Sequence, residues 1–205
     1  MDKEEANEIL LWAGQKNPGK WIEHSYNVAK TAEIIAKNCL LDNNLSYIFG
    51  LLHDIGRYEG ITHLRHILSG YNLMKNKGYN NVAKICLTHS FPYKNINSYQ
   101  GEFDCSLEEI NILKNELEKI EYDDYDKLIQ LCDAISSEKG ITLMEIRLVD
   151  VVKRNGFNEY TLNKWNAFYE IKNYFELKCR RNIYEIFKEE IIENIIIGKG
   201  NQTCT

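Results

Sequence analysis

The sequence LLHDIGR occupies residues 51–57 and joins the end of a helical pattern to a histidine–aspartate pair. Upstream, Leu45, Ile48 and Leu52 recur at the spacing of a buried helix face, and Gly56 is a natural stop for that helix. All five histidines of the 205-residue chain fall between positions 24 and 89. Neutral imidazole and carboxylate are ligands that suit Fe, Mn, Zn and similar divalent ions. The pattern therefore predicts a metal site at the end of a helix.

The apolar period is helical along almost the whole chain. The sequence predicts further helices over residues 20–40, 64–76, 79–88, 106–120, 123–137 and 141–154, followed by a C-terminal helix pair rich in aromatic residues. Residues 93–105 are predicted to form a loop, because Asn, Ser and Gly cluster there without a clear period. The chain has two prolines and no alternating apolar–polar strand pattern, so we predict an all-α protein.

The length fits one domain of ordinary size, or one domain with a helical appendage. We expect residues 1–140 to form a helical bundle and residues 141–205 to form a C-terminal helical extension packed on the same domain. The last residues, from Lys199 onward, are expected to be frayed. We interpret the aromatic stripes of the extension, which include Trp165 and Phe168, as core or as the surface of a homodimer.

Composition and charge narrow the class of protein. Hydrophobic residues make up 44% and charged residues 27% of the chain, as is typical of a globular protein. The formal net charge of -5 argues against nucleic acid as the main partner. The N-terminus lacks the apolar core of a signal peptide and no apolar run could span a bilayer, so we expect a cytoplasmic protein without a membrane partner. Six cysteines without a C-x-x-C pair favour buried small side chains over a disulfide framework.

Two residues far from the histidine–aspartate pair carry the same ligand chemistry. His24 lies three residues after Trp21 and four before Val28, so it projects toward an apolar helix face where a polar ring needs a partner. Asp133 follows Cys132 on a nearly apolar helix, where an unpaired carboxylate would be costly to bury. Together with the pair, these two residues would fill most of the coordination shell of one metal ion.

Two more histidines extend the pattern. His66 lies in the helix predicted over residues 64–76, and His89 ends the helix predicted over residues 79–88. His89 shares a helix face with Val82 and Ile85. Any one histidine near an apolar face usually has a structural role, but the ordered series favours metal binding.

The order of these residues resembles the HD superfamily of metal-dependent phosphohydrolases, and residues 51–57 resemble the end of its central helix. The resemblance covers roughly residues 20–140 and implies an HD-domain helical bundle. It implies a first metal held by His24, His53, Asp54 and Asp133, and a second held by His66 and His89 with Asp54 as the bridge. Water or hydroxide between the two ions would be the nucleophile.

The resemblance implies hydrolysis of a phosphoester or phosphoanhydride in a small phosphorylated metabolite or nucleotide. It also implies that the site holds two divalent metal ions. Fe and Mn are favoured, and Zn, Mg and Ni are alternatives. The alarmone-hydrolase branch is disfavoured, because Arg57 and Tyr58 stand where that branch has acidic residues. The glycine–tyrosine–proline signature of cyclic dinucleotide phosphodiesterases is absent after His89. The chain is most similar to small stand-alone HD hydrolases, among them dinucleoside-tetraphosphate hydrolases.

Other residues near the motif are candidates for contact with the substrate. Arg57, Arg65 and Lys94 could bind phosphate, although a salt bridge from either arginine to Glu59 or Glu23 is equally compatible with the sequence. We assign catalytic roles to Asp54, His63 and Arg57. For His63 three readings stay open: a ligand of the second metal in place of His66, a proton donor to the leaving group, or a surface residue. We favour His66 as the ligand, because His63 lies nearer the loop after Gly60.

Two other classes of function stay open. Some dinuclear HD proteins resemble this ligand set and hold mixed-valent di-iron that activates O₂, so the chain could be an oxygenase. The third class is a non-enzymatic nucleotide or ligand sensor that keeps the helical fold. Metal content, oxygen consumption and turnover would distinguish the three classes.

Overall fold

The computed structural model describes residues 1–197, and it confirms the all-α prediction. Within that part of the chain the α-helices are α1 Lys3–Lys16, α2 Trp21–Asn38, α3 Asn43–Leu52, α4 Arg65–Asn76, α5 Asn80–Thr88, α6 Leu107–Lys119, α7 Asp124–Ile135, α8 Met144–Asn155, α9 Thr161–Cys179, α10 Ile183–Ile186 and α11 Lys188–Ile192. Two 3₁₀ segments, Ile55–Glu59 and Ile96–Ser98, and a π-helical turn, Glu193–Ile197, complete the helical structure. The fraying expected from Lys199 onward lies outside the described residues. Cys204, one of the cysteines expected to be buried, lies outside them too.

Helices α2 and α3 form the centre of the bundle. The buried face of α2 is made of small and branched side chains, among them Val28, Ala29 and Ala32. Gly50 of α3 lies against that face, and a Cβ atom at Gly50 would stand 2.7 Å from the Cα atom of Ala29. The absence of a side chain at Gly50 therefore allows the two backbones to approach closely. This packing fixes the end of α3, where the histidine–aspartate pair begins.

Helix termini follow local side-chain chemistry. Ser106 and Glu109 form a capping box at the start of α6, with each side chain bonded to the backbone of the other residue. A second capping box, formed by Asp123 and Asp126, starts α7. These caps satisfy N–H groups that have no partner inside the helix.

The prediction that helical structure continues to residue 137 is wrong. Helix α7 ends at Ile135, and residues 136–137 pair antiparallel with residues 140–141 in a short two-stranded ladder, β1 and β2. Gly140 adopts φ of +118°, a backbone conformation that favours glycine and closes the tight turn. Strands of two residues are too short to show an alternating pattern, which is why the sequence did not reveal them. The helix predicted from residue 141 consequently begins at Met144.

Helix α1 was not predicted, yet it packs on the bundle. Its buried side chains include Ala6, Leu10 and Ala13. Lys3 forms an ion pair with Glu33 of α2 at 2.9 Å. Burial of one apolar face and a polar contact to α2 together explain its position.

The C-terminal helices cover one side of the bundle. Phe175 of α9 is completely buried, and Tyr174 of the same helix donates a hydrogen bond to Asp124 of α7 at 2.6 Å. Tyr184 of α10 donates to Glu145 of α8 at 2.8 Å, so the extension is also bonded within itself. Across residues 1–197, no helix combines the length and the apolar character needed to cross a lipid bilayer.

Candidate metal centre

Five helices bring the predicted ligands to one place. His24 lies in the second turn of α2 and Asp133 in the last turn of α7. His53 and Asp54 directly follow α3, and the remaining two histidines come from the start of α4 and the end of α5. The cluster consists of His24, His53, Asp54, His66, His89 and Asp133. Residues more than a hundred positions apart in the chain therefore share one cluster.

Three of the histidine rings are held in the same way. The Nδ1 atom of His53 contacts the carbonyl oxygen of Gly50 at 2.7 Å, and Nδ1 of His89 contacts the carbonyl oxygen of Cys86 at 2.9 Å. His66 makes the equivalent contact with the carbonyl oxygen of His63. A carbonyl oxygen only accepts, so each Nδ1 must carry the proton and donate. Each Nε2 atom is then left with a free lone pair when the ring is neutral.

These Nε2 atoms face one another inside the protein. Nε2 of His66 and Nε2 of His89 are 3.3 Å apart, and both residues are almost fully buried. The Nε2 atom of His53 is buried and has no hydrogen-bond partner within residues 1–197. Two facing lone pairs repel, and an orphaned buried acceptor costs free energy. A cation between these atoms would remove both penalties, so the residues fit a bound divalent metal.

Asp54 lies between two groups of histidines. Its Oδ1 atom is 3.1 Å from Nε2 of His66 and 3.5 Å from Nε2 of His89. Its Oδ2 atom is 3.9 Å from Nε2 of His53. Potential ligand atoms lie within 4.8 Å of one another in two sets, His24 with His53 and Asp54, and Asp54 with His66 and His89. Asp54 belongs to both sets, as a bridging carboxylate must.

Asp133 approaches the cluster through His24. Its Oδ1 atom is 3.0 Å from Nε2 of His24. Burial would raise the pKa of Asp133, but the hydrogen bond and charge of His24 hold that pKa well below its usual range. Asp133 is therefore an ionised carboxylate at neutral pH, which is the form that binds metal.

The protonation states of His53, His66 and Asp54 also suit metal binding. Burial lowers the pKa of His53 to about 4, so its ring is neutral at pH 7. Burial also lowers the pKa of His66, and the charge of Arg57 lowers it further. Burial opposes ionisation of Asp54, but the charge of Arg57 holds its pKa well below the usual range. Neutral imidazole and ionised carboxylate are the ligand forms.

The turn after Asp54 is shaped by Gly56, for a different reason from the predicted one. Helix α3 has already ended at Leu52, and Gly56 lies within the 3₁₀ segment Ile55–Glu59 rather than at a helix stop. A Cβ atom at Gly56 would overlap the carbonyl oxygen of His66 and the backbone nitrogen of Gly70. Gly56 therefore allows the 3₁₀ segment to lie directly on α4, beside His66.

A cavity of about 440 Å³ opens beside the cluster. Arg57 and His63 line it, together with the cluster residues His24, Asp54, His66, His89 and Asp133. Arg57 donates from Nε to Oδ2 of Asp54 at 2.6 Å. His63 is half-buried; its backbone N–H donates to Asp104 at 2.7 Å, and its carbonyl oxygen holds the ring of His66. The structure thus places the His66 ring in the cluster and the His63 ring at the cavity.

The structure does not bring Arg65 or Lys94 to this cavity. Arg65 makes a two-fold ion pair with Glu109, with N–O distances of 3.1 and 3.0 Å, so its partner is neither Glu59 nor Glu23. Lys94 donates to the carbonyl oxygen of Glu118 at 3.0 Å. Among the described residues that line the cavity, neither side chain is present.

Helices α8 and α9 supply cavity residues that the sequence analysis missed. Lys164 of α9 and Arg147 of α8 line the cavity, with Phe168 and Leu148 as apolar neighbours. The sequence did contain a signal for Lys164, because it lies at a spacing of three and four residues from its neighbours in a mostly apolar stripe along one face of α9. The other buried members of that stripe are Thr161, Phe168, Ile171 and Phe175. Lysine is rarely buried unless its charge is paired, so its place among buried side chains indicates a specific role.

Comparison with known proteins adds one match. The family model described as HD domain matches residues 21–138. Neither a curated protein nor a solved structure matches the chain. The matched residues contain all six members of the cluster and end before α8 and α9 begin.

Proposed function

The chain belongs to the HD domain family, and on that premise we propose that it is a metal-dependent phosphohydrolase. The proposed substrate is a phosphoester or phosphoanhydride of a small metabolite, with a nucleotide as the favoured class. One observation carries the proposal. Three buried imidazoles, each anchored through Nδ1, direct unprotonated Nε2 atoms toward a carboxylate that belongs to two ligand sets.

The proposed ligand sets follow the two groups of residues. His24, His53, Asp54 and Asp133 would hold one divalent ion, and Asp54, His66 and His89 would hold the other. Bound divalent ions lower the pKa of a coordinated water and neutralise charge that develops on a phosphoryl group. Either set leaves open positions, as a catalytic site requires and a closed structural site does not.

The protein's own residues would orient the substrate. Arg57 uses Nε to hold Asp54, so its remaining guanidinium N–H groups can donate to phosphate oxygens in the cavity. His63 lines the same cavity and can donate a proton to a leaving group. Trp21 and Phe168 give the cavity apolar surface that suits a nucleobase or another apolar group.

Metal content and activity test the proposal together. We expect about two divalent ions per chain and release of phosphate from one or more nucleotides or phosphorylated metabolites, assayed in Mn²⁺, Fe²⁺ and Mg²⁺. Asp54→Asn should lose metal from both sets and abolish hydrolysis, because its shared carboxylate becomes a neutral amide. The matched control is Asp126→Asn, which changes another buried carboxylate that contacts Lys84 and Thr88 outside the cluster.

The outcomes separate the three classes of function. Hydrolysis that survives Asp54→Asn with full metal content would refute the role of Asp54. Oxygen consumption by an iron-loaded protein that is inactive without air would instead identify an oxygenase. Tight nucleotide binding without turnover in any of the three metals would identify a sensor.

A further inference from the structure

The C-terminal extension adds positive charge to the cavity. Arg147 and Arg154 of α8 and Lys164 of α9 all line it, and all three lie beyond residue 138, where the family match ends. Arg154 is already neutralised, because two of its nitrogens lie 3.0 Å from Oδ2 of Asp150. Arg147 and Lys164 therefore need separate consideration.

Lys164 is a buried cation with no carboxylate oxygen within 4.0 Å in residues 1–197. Only 8% of it is exposed, and its one hydrogen bond within the described chain is a long contact of 3.5 Å to the carbonyl oxygen of Ser98. Lys172, on the same helix, is 9% exposed but lies 2.7 Å from a carboxylate oxygen of Glu176. A buried ammonium normally requires such a partner. This difference between Lys164 and Lys172 indicates that Lys164 pairs with an anionic group of a ligand that enters the cavity.

Arg147 is partly exposed, and its contact with a carboxylate is weak. Its Nε atom is buried and has no hydrogen-bond partner among the described residues. The nearest carboxylate oxygen, Oδ2 of Asp150, is 4.0 Å from Nη1 and is already bonded to Arg154. A guanidinium has five N–H donors, and a phosphate offers oxygens in matching geometry. Arg147 thus presents unused donors at the wall of the cavity.

We propose that Lys164 and Arg147 form an anion subsite that binds a second phosphate of the substrate, in addition to the phosphate that is cleaved. The proposal deepens the proposed phosphohydrolase function and rests on it. It assigns the substrate class: a molecule with two phosphate groups, such as a nucleoside diphosphate, a longer polyphosphate or a bisphosphate. The scissile phosphate already has Arg57 and the proposed metal ligands, so two further cations match a second anionic group.

The charge state of Lys164 is consistent with this role. Burial lowers the pKa of Lys164 to about 8, while the charge of Asp133 acts in the opposite direction. At neutral pH the side chain is therefore still mostly protonated and can pair with phosphate. Because Asp133 is ionised, Lys164 could instead serve only to balance that charge, and the experiment has to separate the two roles.

The test compares two probes whose P–C bonds are not hydrolysed. Methylenediphosphonate carries two anionic groups and methylphosphonate carries one. Their dissociation constants are measured by calorimetry on the full chain, loaded with Mn²⁺ and freed of excess metal. The variants are Lys164→Gln and Arg147→Gln, and the matched control is Lys172→Gln. Circular dichroism and metal analysis of each variant exclude unfolding and loss of metal.

We expect the wild-type chain to prefer methylenediphosphonate. In Lys164→Gln and in Arg147→Gln that preference should fall by about tenfold or more, since each variant removes a charged donor. Lys164→Arg should restore most of it, and Lys172→Gln should keep it. If either glutamine variant kept the wild-type preference, the proposal would be overturned. Loss of Mn²⁺ from Lys164→Gln with an unchanged preference would identify Lys164 as the charge partner of Asp133 alone.

Binding of the probes does not depend on turnover. A chain that prefers methylenediphosphonate but hydrolyses no phosphate would refute the phosphohydrolase function and leave the subsite intact. A chain that hydrolyses phosphomonoesters, but whose preference for methylenediphosphonate is unchanged in both glutamine variants, would support the phosphohydrolase function and refute the subsite.

Discussion

The carbonyl oxygen of His63 holds the ring of His66, and this backbone contact separates the roles of two neighbouring histidines. The side chain of His63 takes no part in that contact. A change of the His63 side chain therefore leaves the anchor of His66 in place. Sequence reasoning could not reveal this backbone contact, because the two histidines lie only three positions apart and His63 precedes the helix that carries His66.

We predict that His63→Gln keeps the wild-type metal content, whereas His66→Gln weakens binding of the ion proposed for the set of Asp54, His66 and His89 by about tenfold or more. The reason is that His66 directs its Nε2 atom toward Asp54 and His89, while His63 faces the cavity. Titration with Mn²⁺, followed by elemental analysis, measures the difference. Equal loss of metal in both variants would contradict the assignment.

At the residue scale, sequence and structure agree best where the residue type itself carries the chemistry. The six cluster residues were proposed from the sequence, since histidine and aspartate at helical positions have few other uses in such an order. Lys164 and Arg147 were not, because a lysine or arginine on a helix is usually solvated. The position of Lys164 in the mostly apolar stripe on α9 was a signal for it, and its burial in the structure gives that signal weight.

At the scale of elements, the close contact between the 3₁₀ segment Ile55–Glu59 and α4 positions Asp54 against His66. We predict that Gly56→Ala lowers the free energy of unfolding by about 3 kcal/mol or more, because the added methyl group meets backbone atoms that cannot move separately. Metal affinity should fall with it. Urea unfolding with and without Mn²⁺ measures both.

Gly14→Ala is the control for that experiment. A Cβ at Gly14 would meet the flexible end of Ile22, and Gly14 lies inside α1, where alanine is the better helix former. The change should cost little or stabilise the chain. Similar losses in Gly14→Ala and Gly56→Ala would show that the backbone contact at Gly56 is not special.

The ion pair between Arg65 and Glu109 ties the start of α4 to the start of α6. The hydrogen bonds from Arg65 lower the pKa of Glu109 to about 2, compared with about 4.3 in an unfolded chain. A depressed carboxyl pKa stabilises the folded state above the unfolded pKa, and this contribution is lost as pH falls from about 4.3 toward 2.

We therefore predict that Glu109→Gln lowers the free energy of unfolding at pH 7 by about 1 kcal/mol or less, since the pair is partly exposed. Glutamine can keep the capping box through its carbonyl oxygen, so the change removes the charge and one of the two acceptor atoms that face Arg65. The difference from wild type should shrink steadily below about pH 4. Urea unfolding at pH 7, 5, 4 and 3 tests this, and a difference that grows toward low pH would contradict the sign.

Elements were predictable from the sequence to the extent that they were long. The helices that carry the cluster were placed within a few residues, because each has several turns of apolar period. The two-residue strands β1 and β2 carry no such period, so the end of α7 and the start of α8 were misplaced. Backbone pairing decided those boundaries, and side-chain pattern did not.

At the scale of the whole molecule, α9 joins the bundle through an aromatic side chain. Phe175 is fully buried. We predict that Phe175→Ala lowers the free energy of unfolding by about 3–5 kcal/mol, whereas Leu177→Ala, at a position 81% exposed, changes it by about 0.5 kcal/mol or less. If the extension and the bundle are one cooperative unit, circular dichroism and tryptophan fluorescence should report a single shared transition in each variant. Two separate transitions would contradict the single-domain prediction.

The fold class and the position of the cluster followed from the sequence because both rest on local patterns. The wall of the cavity could not be predicted from the sequence, because it arises from the packing of α8 and α9 against helices far away in the chain. Contacts between distant segments carry no local signature, so the sequence did not reveal the cavity wall that we propose to select the substrate.

The cluster draws on five helices whose ligands span residues 24 to 133. An ion shared by these side chains acts as a reversible cross-link, since none of these helices can detach without giving up a ligand. Partial opening, hydrogen exchange and proteolysis would then all begin with release of metal. The lifetime of the folded protein would follow the concentration of free metal around it, and a chelator would shorten that lifetime without touching the polypeptide.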